Sequence, residues 1–374
     1  MSESREEVGI GLVGAGAIMR LSHAPTIGRS SNAKLVAVFD RDLSRADTIV
    51  KDFGGMPYDN LEAMLERKDL DAVIVATPNQ YHAEGVLAAA QHGKHILCEK
   101  PLAIDVASAR KMVDAAKAAN VILQVGFNQR FWSQVQIAKQ LLDLGLIGRI
   151  HQVRSQLSEK STAYPAATRY RYDLAQSGGA TIIDLTIHRI DLVRHLVGDF
   201  KSVFAELVHS ELPEVVDDNV WLLARFDNGA RGCLSGNRFS PNIADGTDIY
   251  GTEGTIHIAS ETINPFSAAP LAVYTERGVN ELPDVLKEAH YPEAWWKNFE
   301  GGWITVKPPR RNPYDAQLAA FCGAILGGGP APVTGEDGLK AQEVVQAAYA
   351  SMRGGKWVDL PLGAETPFIV PDYV

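Results

Sequence analysis

Up to residue 126 the chain alternates short, almost uninterrupted apolar runs with stretches of helical periodicity. The runs are "VGIGLVGAG", "KLVAVFD", "AVIVATP", "HILCEKP" and "VILQVGF". Between them, "NLEAMLERKDL", "AEGVLAAAQHG" and "IDVASARKMVDAAKAAN" space their apolar residues as amphipathic helices do, and the last stops at an Asn that suits a helix end. Strands alternating with helices build a parallel, doubly wound α/β sheet. A first domain over residues 1–126 follows.

The pattern changes after residue 127. "FNQRFWSQVQIAKQLLDLGLIG" reads as a helix closed by glycine, and a second helix is expected from about Thr181 to residue 197. Around them lie strand-like runs joined by tight-turn signals: "IHQVRSQLS", "SVFAELVHS", "VWLLARF-DNG-ARGCLSGNRF", "DIY-GTEG-TIHIA" and "LAVY-TERG-VNEL". Such a series predicts an open, largely antiparallel sheet, so residues 127–374 read as an α+β second domain. Residues 283–313, rich in Pro, Gly and Trp, read as a long loop or lid. A helix over about 338–352 and a short strand in "KWVDLPL" close the pattern.

One helix breaks the apolar rule. Within "GGATIIDLTIHRIDLVRH", Asp184, His188, Asp191 and His195 recur at i, i+4, i+7 and i+11, one stripe at 3.6 residues per turn. Most other positions, from Ile182 to Leu196, are apolar, as in a buried helix. Unpaired buried charge is costly, so the stripe must meet partners or a ligand.

Bulk properties narrow the classes. At 374 residues two domains are expected. The net charge of −9 and pI of about 5.6 argue against nucleic acid or an anionic membrane as partner. Cys98, Cys233 and Cys322 are too scattered for a disulfide framework or a CxxC metal site, which suits a reducing compartment. The start, "MSESREEVGIGLVG", lacks the build of a signal peptide, and no apolar run reaches membrane-spanning length. A cytoplasmic protein is the expectation.

The chemistry-bearing motifs lie at the carboxyl ends of the apolar runs. Gly14, Gly16 and Met19 stand on the G-x-G-x-x-G frame, so the turn through Ala17 and Ile18 would present backbone N–H groups to a pyrophosphate. Met19 departs from the third glycine. Asp40 ends the next run, where a carboxylate binds both adenosine ribose hydroxyls. It would repel a 2′-phosphate, which favours NAD; the adjacent Arg41 leaves NADP as an alternative. Thr77, Asn79 and His82, in "ATPNQYH", and Glu99 and Lys100, in "CEKP", occupy further loops at this edge and are expected at the cofactor. Lys100 there would suit proton transfer beside a nicotinamide. Near the glycines, Tyr164, Arg169, Tyr170, Arg171 and Tyr172 would suit a polyhydroxylated or anionic ligand.

From "GIGLVGAGAIMRLSHAPTI" to "GEDGLKAQEVVQAAYASMRGGKWVDLP" the chain resembles the glucose–fructose oxidoreductase, inositol dehydrogenase and rhizopine catabolism family, Gfo/Idh/MocA. Glu99-Lys100-Pro101 matches its E-K-P motif. Gly178-Gly179, Asp184, His188 and Asp191 match its glycine-rich D-x-x-x-H-x-x-D segment, and "VGFNQRF" is similar as well. Met19 and Ala180 are mild departures. The resemblance implies an N-terminal Rossmann domain, NAD, a small carbohydrate substrate, and a C-terminal sheet that builds a homodimer or homotetramer. It also implies that His188 is the general acid/base, that Asp184 holds the imidazole or a neighbouring hydroxyl, and that Lys100 shares the proton. Substrate contacts would come from Lys100, Tyr164, Arg169, Arg171, Asp184 and His188. Asp191 and His195 read as structural partners. D-x-x-x-H is also metal-ligand spacing, but no Cys or second His completes a set, and no metal is expected. Oxidation of a secondary hydroxyl of a sugar or inositol is the leading activity. A redox-neutral glycosidase using the same residues is the alternative, and a non-catalytic cofactor-binding regulator the third class.

Overall fold

The structure, a computed structural model, describes residues 6–160, 166–212, 216–241, 245–259, 269–287 and 299–363. β1 (Val8–Val13), β2 (Ala33–Phe39), β3 (Met56–Tyr58), β4 (Ala72–Val75), β5 (His95–Cys98) and β6 (Leu123–Val125) form one sheet in the order β3-β2-β1-β4-β5-β6, every pair parallel. All residues of β1 and β4 are buried, which is why their sequences do not alternate. The strand order reverses between β1 and β4, and ligands bind such sheets at that point. Helix boundaries follow local chemistry: Asp105 caps Val106–Ala118 by accepting from Ser108 N at 2.7 Å, and Asn120 leaves it with φ of +53°.

The second sheet has nine strands: β7 (Ile150–Ser158), β8 (Phe200–Val208), β9 (Asn219–Phe226), β10 (Arg231–Asn237), β11 (Gly246–Gly251), β12 (Gly254–Ala259), β13 (Leu271–Thr275), β14 (Gly302–Val306) and β15 (Val358–Asp359). Their order is β14-β13-β12-β11-β7-β10-β9-β8-β15, and all pairs are antiparallel except β7 with β10. In β9, Val220, Leu222, Ala224 and Phe226 face the core while Trp221, Leu223 and Arg225 face out. The inner face packs on the helices Ile187–Val197 and Gly335–Gly354, the latter opened by a Thr334/Asp337 capping box three residues before the expected start.

Two expectations are corrected. "VNEL" is no strand but a 3₁₀ turn, Val279–Glu281, because Pro283 has no N–H to donate and restricts the residue before it. β13 instead pairs with β14, inside the stretch read as a loop, where Ile304 and Val306 extend the buried face of Leu271 and Val273. Of that stretch, 288–298 lie outside the described residues. The chain then returns to the first domain. The helix Pro313–Gly327, capped by Asn312, buries Leu318, Phe321 and Cys322 against Val8, Ile10 and Leu12 on the back of the first sheet. Asp315 ties it there, accepting from Thr26 Oγ1 at 3.1 Å and Arg29 Nη2 at 2.5 Å. Among the described residues no helix is long and apolar enough to cross a membrane.

Candidate active site

The turn after β1 depends on Gly14, whose φ is +94° and whose added Cβ would lie 3.1 Å from Ala76 O and from Thr77. Above Gly16 the space is open, with nothing nearer to an added Cβ than 4.0 Å. The chain then enters a π-helical turn, Met19–His23, and the helix Ala24–Arg29. Met19 is fully buried and fills the core where the third glycine would have brought helix and strand together. At the end of β2, Asp40 Oδ2 accepts from Ala15 N at 2.8 Å and Oδ1 from Asp42 N at 3.0 Å, leaving lone pairs on both oxygens. Thr77 Oγ1 is sealed from solvent without a hydrogen-bond partner among the described residues. A Cβ-free cradle, an open approach, a carboxylate with spare acceptors and an orphaned hydroxyl fit a dinucleotide.

Other residues expected at the cofactor have local duties. Arg41 pairs with Glu84 at 2.8 Å and lies 4.4 Å over the Tyr81 ring. His82 is buried, its Nδ1 2.8 Å from Pro101 O and its Nε2 2.9 Å from Thr77 O, so its ring fastens the loop after β4 to the loop after β5. Asn79 reaches across to the second domain, donating to Ser177 O at 2.9 Å and accepting from Tyr170 Oη at 3.5 Å.

Beyond β5, Glu99 and Lys100 point to different partners. Glu99 Oε1 lies 2.8 Å from His23 Nε2, and Gly126 presses so close that an added Cβ would lie 3.0 Å from the carboxyl carbon. Burial alone would raise this carboxyl, but the hydrogen bond and charge of His23 and the charge of Lys100 outweigh it and hold it below the usual range. Lys100 Nζ donates to Asp184 O at 2.6 Å and to Asp184 Oδ1 at 2.9 Å. Arg238 holds the other oxygen, Oδ2, and Arg171 Nε lies 3.5 Å from Oδ1.

The helix carrying Asp184 starts from a crowded glycine pair. Gly178 has φ of +80° and Gly179 +146°; added Cβ atoms would lie 2.5 Å from Ile104 O and 2.2 Å from Tyr349 Oη. Buried Asp217 accepts from Ala180 N at 3.0 Å, Ile182 N at 2.7 Å and Tyr349 Oη at 2.9 Å, satisfying amides that a helix start leaves orphaned. A π-helical turn, Ile182–Thr186, then precedes the α-helix Ile187–Val197. The expected single stripe is therefore broken. The wider turn carries Asp184 off the line, and Lys100 and Arg238 occupy its oxygens, so Asp184 does not hold the His188 imidazole. His188 stands edge-on to Phe127 at 6.5 Å, and its buried Nδ1 has no hydrogen-bond partner among the described residues. Burial, then the charge of Lys100, pushes His188 well below the usual imidazole range, so it is neutral at neutral pH.

The lower half of the stripe is structural. Arg130 grips Asp191 through two bonds, 2.8 and 2.5 Å, and reaches Asp337 at 3.2 Å. His195, pushed down to about 4 by burial and then by the Arg130 charge, flanks this network. Among substrate candidates, Arg171 and Tyr170 face the Lys100–Asp184 pair, Arg169 is exposed on the 3₁₀ turn Ala166–Tyr172, and Tyr164 lies outside the described residues. Sequence reasoning passed over His23, Arg130, Asp217 and Arg238. Arg130 lies inside the quoted "VGFNQRF" and His23 inside the quoted "GIGLVGAGAIMRLSHAPTI", which were usable signals; Asp217 and Arg238 lie in segments with no motif spacing.

Fold and site together define an oxidoreductase on an NAD-binding Rossmann fold. The chain belongs to the Gfo/Idh/MocA family: the model of the oxidoreductase family with NAD-binding Rossmann fold matches residues 8–127, and that of the GFO/IDH/MocA C-terminal domain matches 135–257. Levoglucosan dehydrogenase of Pseudarthrobacter phenanthrenivorans is 30% identical over 326 residues, covering 80% of this chain and 82% of its own. Myo-inositol 2-dehydrogenase of Thermotoga maritima is 28% identical over 358 residues, 94% of this chain and 98% of its own. A solved structure of levoglucosan dehydrogenase in complex with NADH and L-sorbose superposes with a TM-score of 0.80 at 26% identity, covering 95% of this chain and 99% of that one.

Proposed function

We propose that the protein oxidises a secondary hydroxyl of a sugar, inositol or related polyol, with NAD as its cofactor. One observation carries this reading: Lys100, at the carboxyl end of β5, is drawn by Asp184 to within hydrogen-bond reach at the dinucleotide edge, with neutral His188 one turn further along the same helix. NAD, when bound, supplies the acceptor for the hydride that leaves the carbon. The glycine turn, Asp40 and Thr77 would hold it. The chain's own part is the proton. A neutral imidazole and Lys100 share the proton that leaves the reacting hydroxyl, and the lysine, when protonated, steadies the oxygen as it becomes a carbonyl. Asp184 holds Lys100 in place. Tyr170 and Arg171, beside the pair, are proposed to hold further hydroxyls or an acidic substituent of the substrate.

The relatives named as dehydrogenases of levoglucosan and myo-inositol favour polyhydroxylated rings. The test is a panel of sugars, inositols, anhydrosugars and aryl glycosides, read at the NADH absorbance and for aglycone release. One NADH per ketone formed is the expected result. Aglycone release with no growth of NADH would replace the dehydrogenase with the glycosidase. The exposed Trp221, Leu223 and Trp303 on the outer face of the second sheet support assembly of copies through that face, which light scattering would test.

A further inference from the structure

Among the described residues Asp184 is the carboxylate that pairs with Lys100 Nζ, and its two oxygens are held differently. Oδ1 faces Lys100 Nζ and Arg171 Nε, while Oδ2 is held by Arg238 Nη2. Arg238 follows the end of β10, where its N–H bonds Asp218 O at 3.0 Å, and its side chain is 3% exposed. Gly236, two residues earlier, lets the π-helical turn settle on β10, since a Cβ there would lie 2.4 Å from Thr186 Oγ1. The sheet thus brings a buried guanidinium to the carboxylate oxygen opposite the one that Lys100 Nζ takes.

We propose that Arg238 is a positioning residue that fixes the Asp184 carboxylate by its second oxygen, aims the first at Lys100, and keeps Asp184 ionised while Lys100 exchanges a proton. This rests on the reading of Lys100 given above. A carboxylate held by Lys100 alone could rotate or take up the proton itself once the lysine gave it away; a second, permanently charged partner prevents both. Among the described residues the charged and titratable groups facing Asp184 are Lys100 from the loop after β5, Arg171 and Tyr170 from the 3₁₀ turn, His188 from its own helix and Arg238 from the end of β10. Glu159 lies 4.0 Å from Arg238 Nη1.

The experiment compares the parent, Arg238→Gln and Arg238→Lys in two readouts. In aspartate-labelled protein, carbon NMR follows the Asp184 carboxylate, assigned with Asp184→Asn. Kinetics follow kcat and KM against pH for a substrate from the panel. In Arg238→Gln, the Asp184 titration and the acid limb of kcat should both move up by about one unit or more. kcat should fall about tenfold or more, with little change in KM for NAD. Arg238→Lys should restore most of both, and if the glutamine variant does not fold, the lysine variant should show the same shifts, smaller. A folded Arg238→Gln whose NMR titration overlays that of the parent overturns the proposal, as does a uniform loss of kcat that lysine fails to rescue. Should the parent turn over nothing in the panel, the functional reading fails while the NMR comparison still decides the role of Arg238.

Discussion

On the first domain's side of the cleft a π-helical turn, Met19–His23, delivers His23 to Glu99; on the second domain's side another, Ile182–Thr186, delivers Asp184 to Lys100. Adjacent residues of one loop are thus held from opposite directions by the same backbone device. Each turn shifts the phase of its helix so that a polar side chain reaches inward. The outcomes differ. His23 and Glu99 are both buried, sealed by Gly126 and by Tyr314, whose ring stands 5.3 Å from His23. Lys100 and Asp184 keep 14% and 15% of their side chains exposed and sit in a field of further cations. The first grip secures a loop, and the second leaves its members able to exchange partners with a substrate.

That contrast can be broken most strongly at His23. His23→Ala leaves Glu99 buried without its main partner, which should lower stability by about 3 kcal/mol or more in denaturant unfolding. A loss below about 1 kcal/mol would show that this grip is not structural. Lys100→Met tests the other grip. Turnover should fall by about 10² or more, with stability and NAD affinity changed little, because Arg238 and Arg171 still face Asp184. Loss of NAD binding with unaltered chemistry would make Lys100 a binding residue. Asp40→Ser touches neither grip. The parent should prefer NAD over NADP by about tenfold or more in titration, and the serine variant should narrow that gap. Equal NADP binding by the parent would remove the role assigned to Asp40.

The smallest expected effect is on pH-dependent stability. His188 and His195 both titrate lower in the folded chain than unfolded, so the folded state binds fewer protons. Their contribution is full above about 6.5 and is lost as pH falls toward the folded values, about 4 for His195. Denaturation midpoints should drop across that window, and His195→Gln should flatten part of the slope. An unchanged slope would mean that His195 is not held neutral.

The first domain was legible because buried parallel strands write themselves as unbroken apolar runs, and because Gly14, Asp40 and Lys100 sit where those runs end. The second sheet was read down to individual strands wherever one face met solvent. It failed at β14, where "GWITV" hides among glycines and prolines; in the first sheet β3 was missed, since three residues are too few to show a period. At the site, the residues that meet across the cleft were named, but not the pairing. Helical spacing puts Asp184 on one stripe with His188, and a π-helical turn cannot be seen in a periodicity that assumes 3.6 residues per turn. Asp217 and Arg238 are single polar residues far from any motif, His23 follows the glycine frame with no spacing of its own, and only the tertiary fold brings them to the glycine pair, Asp184 and Glu99.

The helix Pro313–Gly327 completes the back of a sheet whose last strand ends at Val125, so the order of synthesis and the order of packing do not match. While a ribosome adds the intervening chain, a delay on the order of ten seconds or more, the nascent first domain lacks the cover that Leu318, Phe321 and Cys322 later give to Ile10 and Leu12. Early strands must therefore wait, partly bare, for residues that have not been made, and a chaperone binding apolar surface would find its target there.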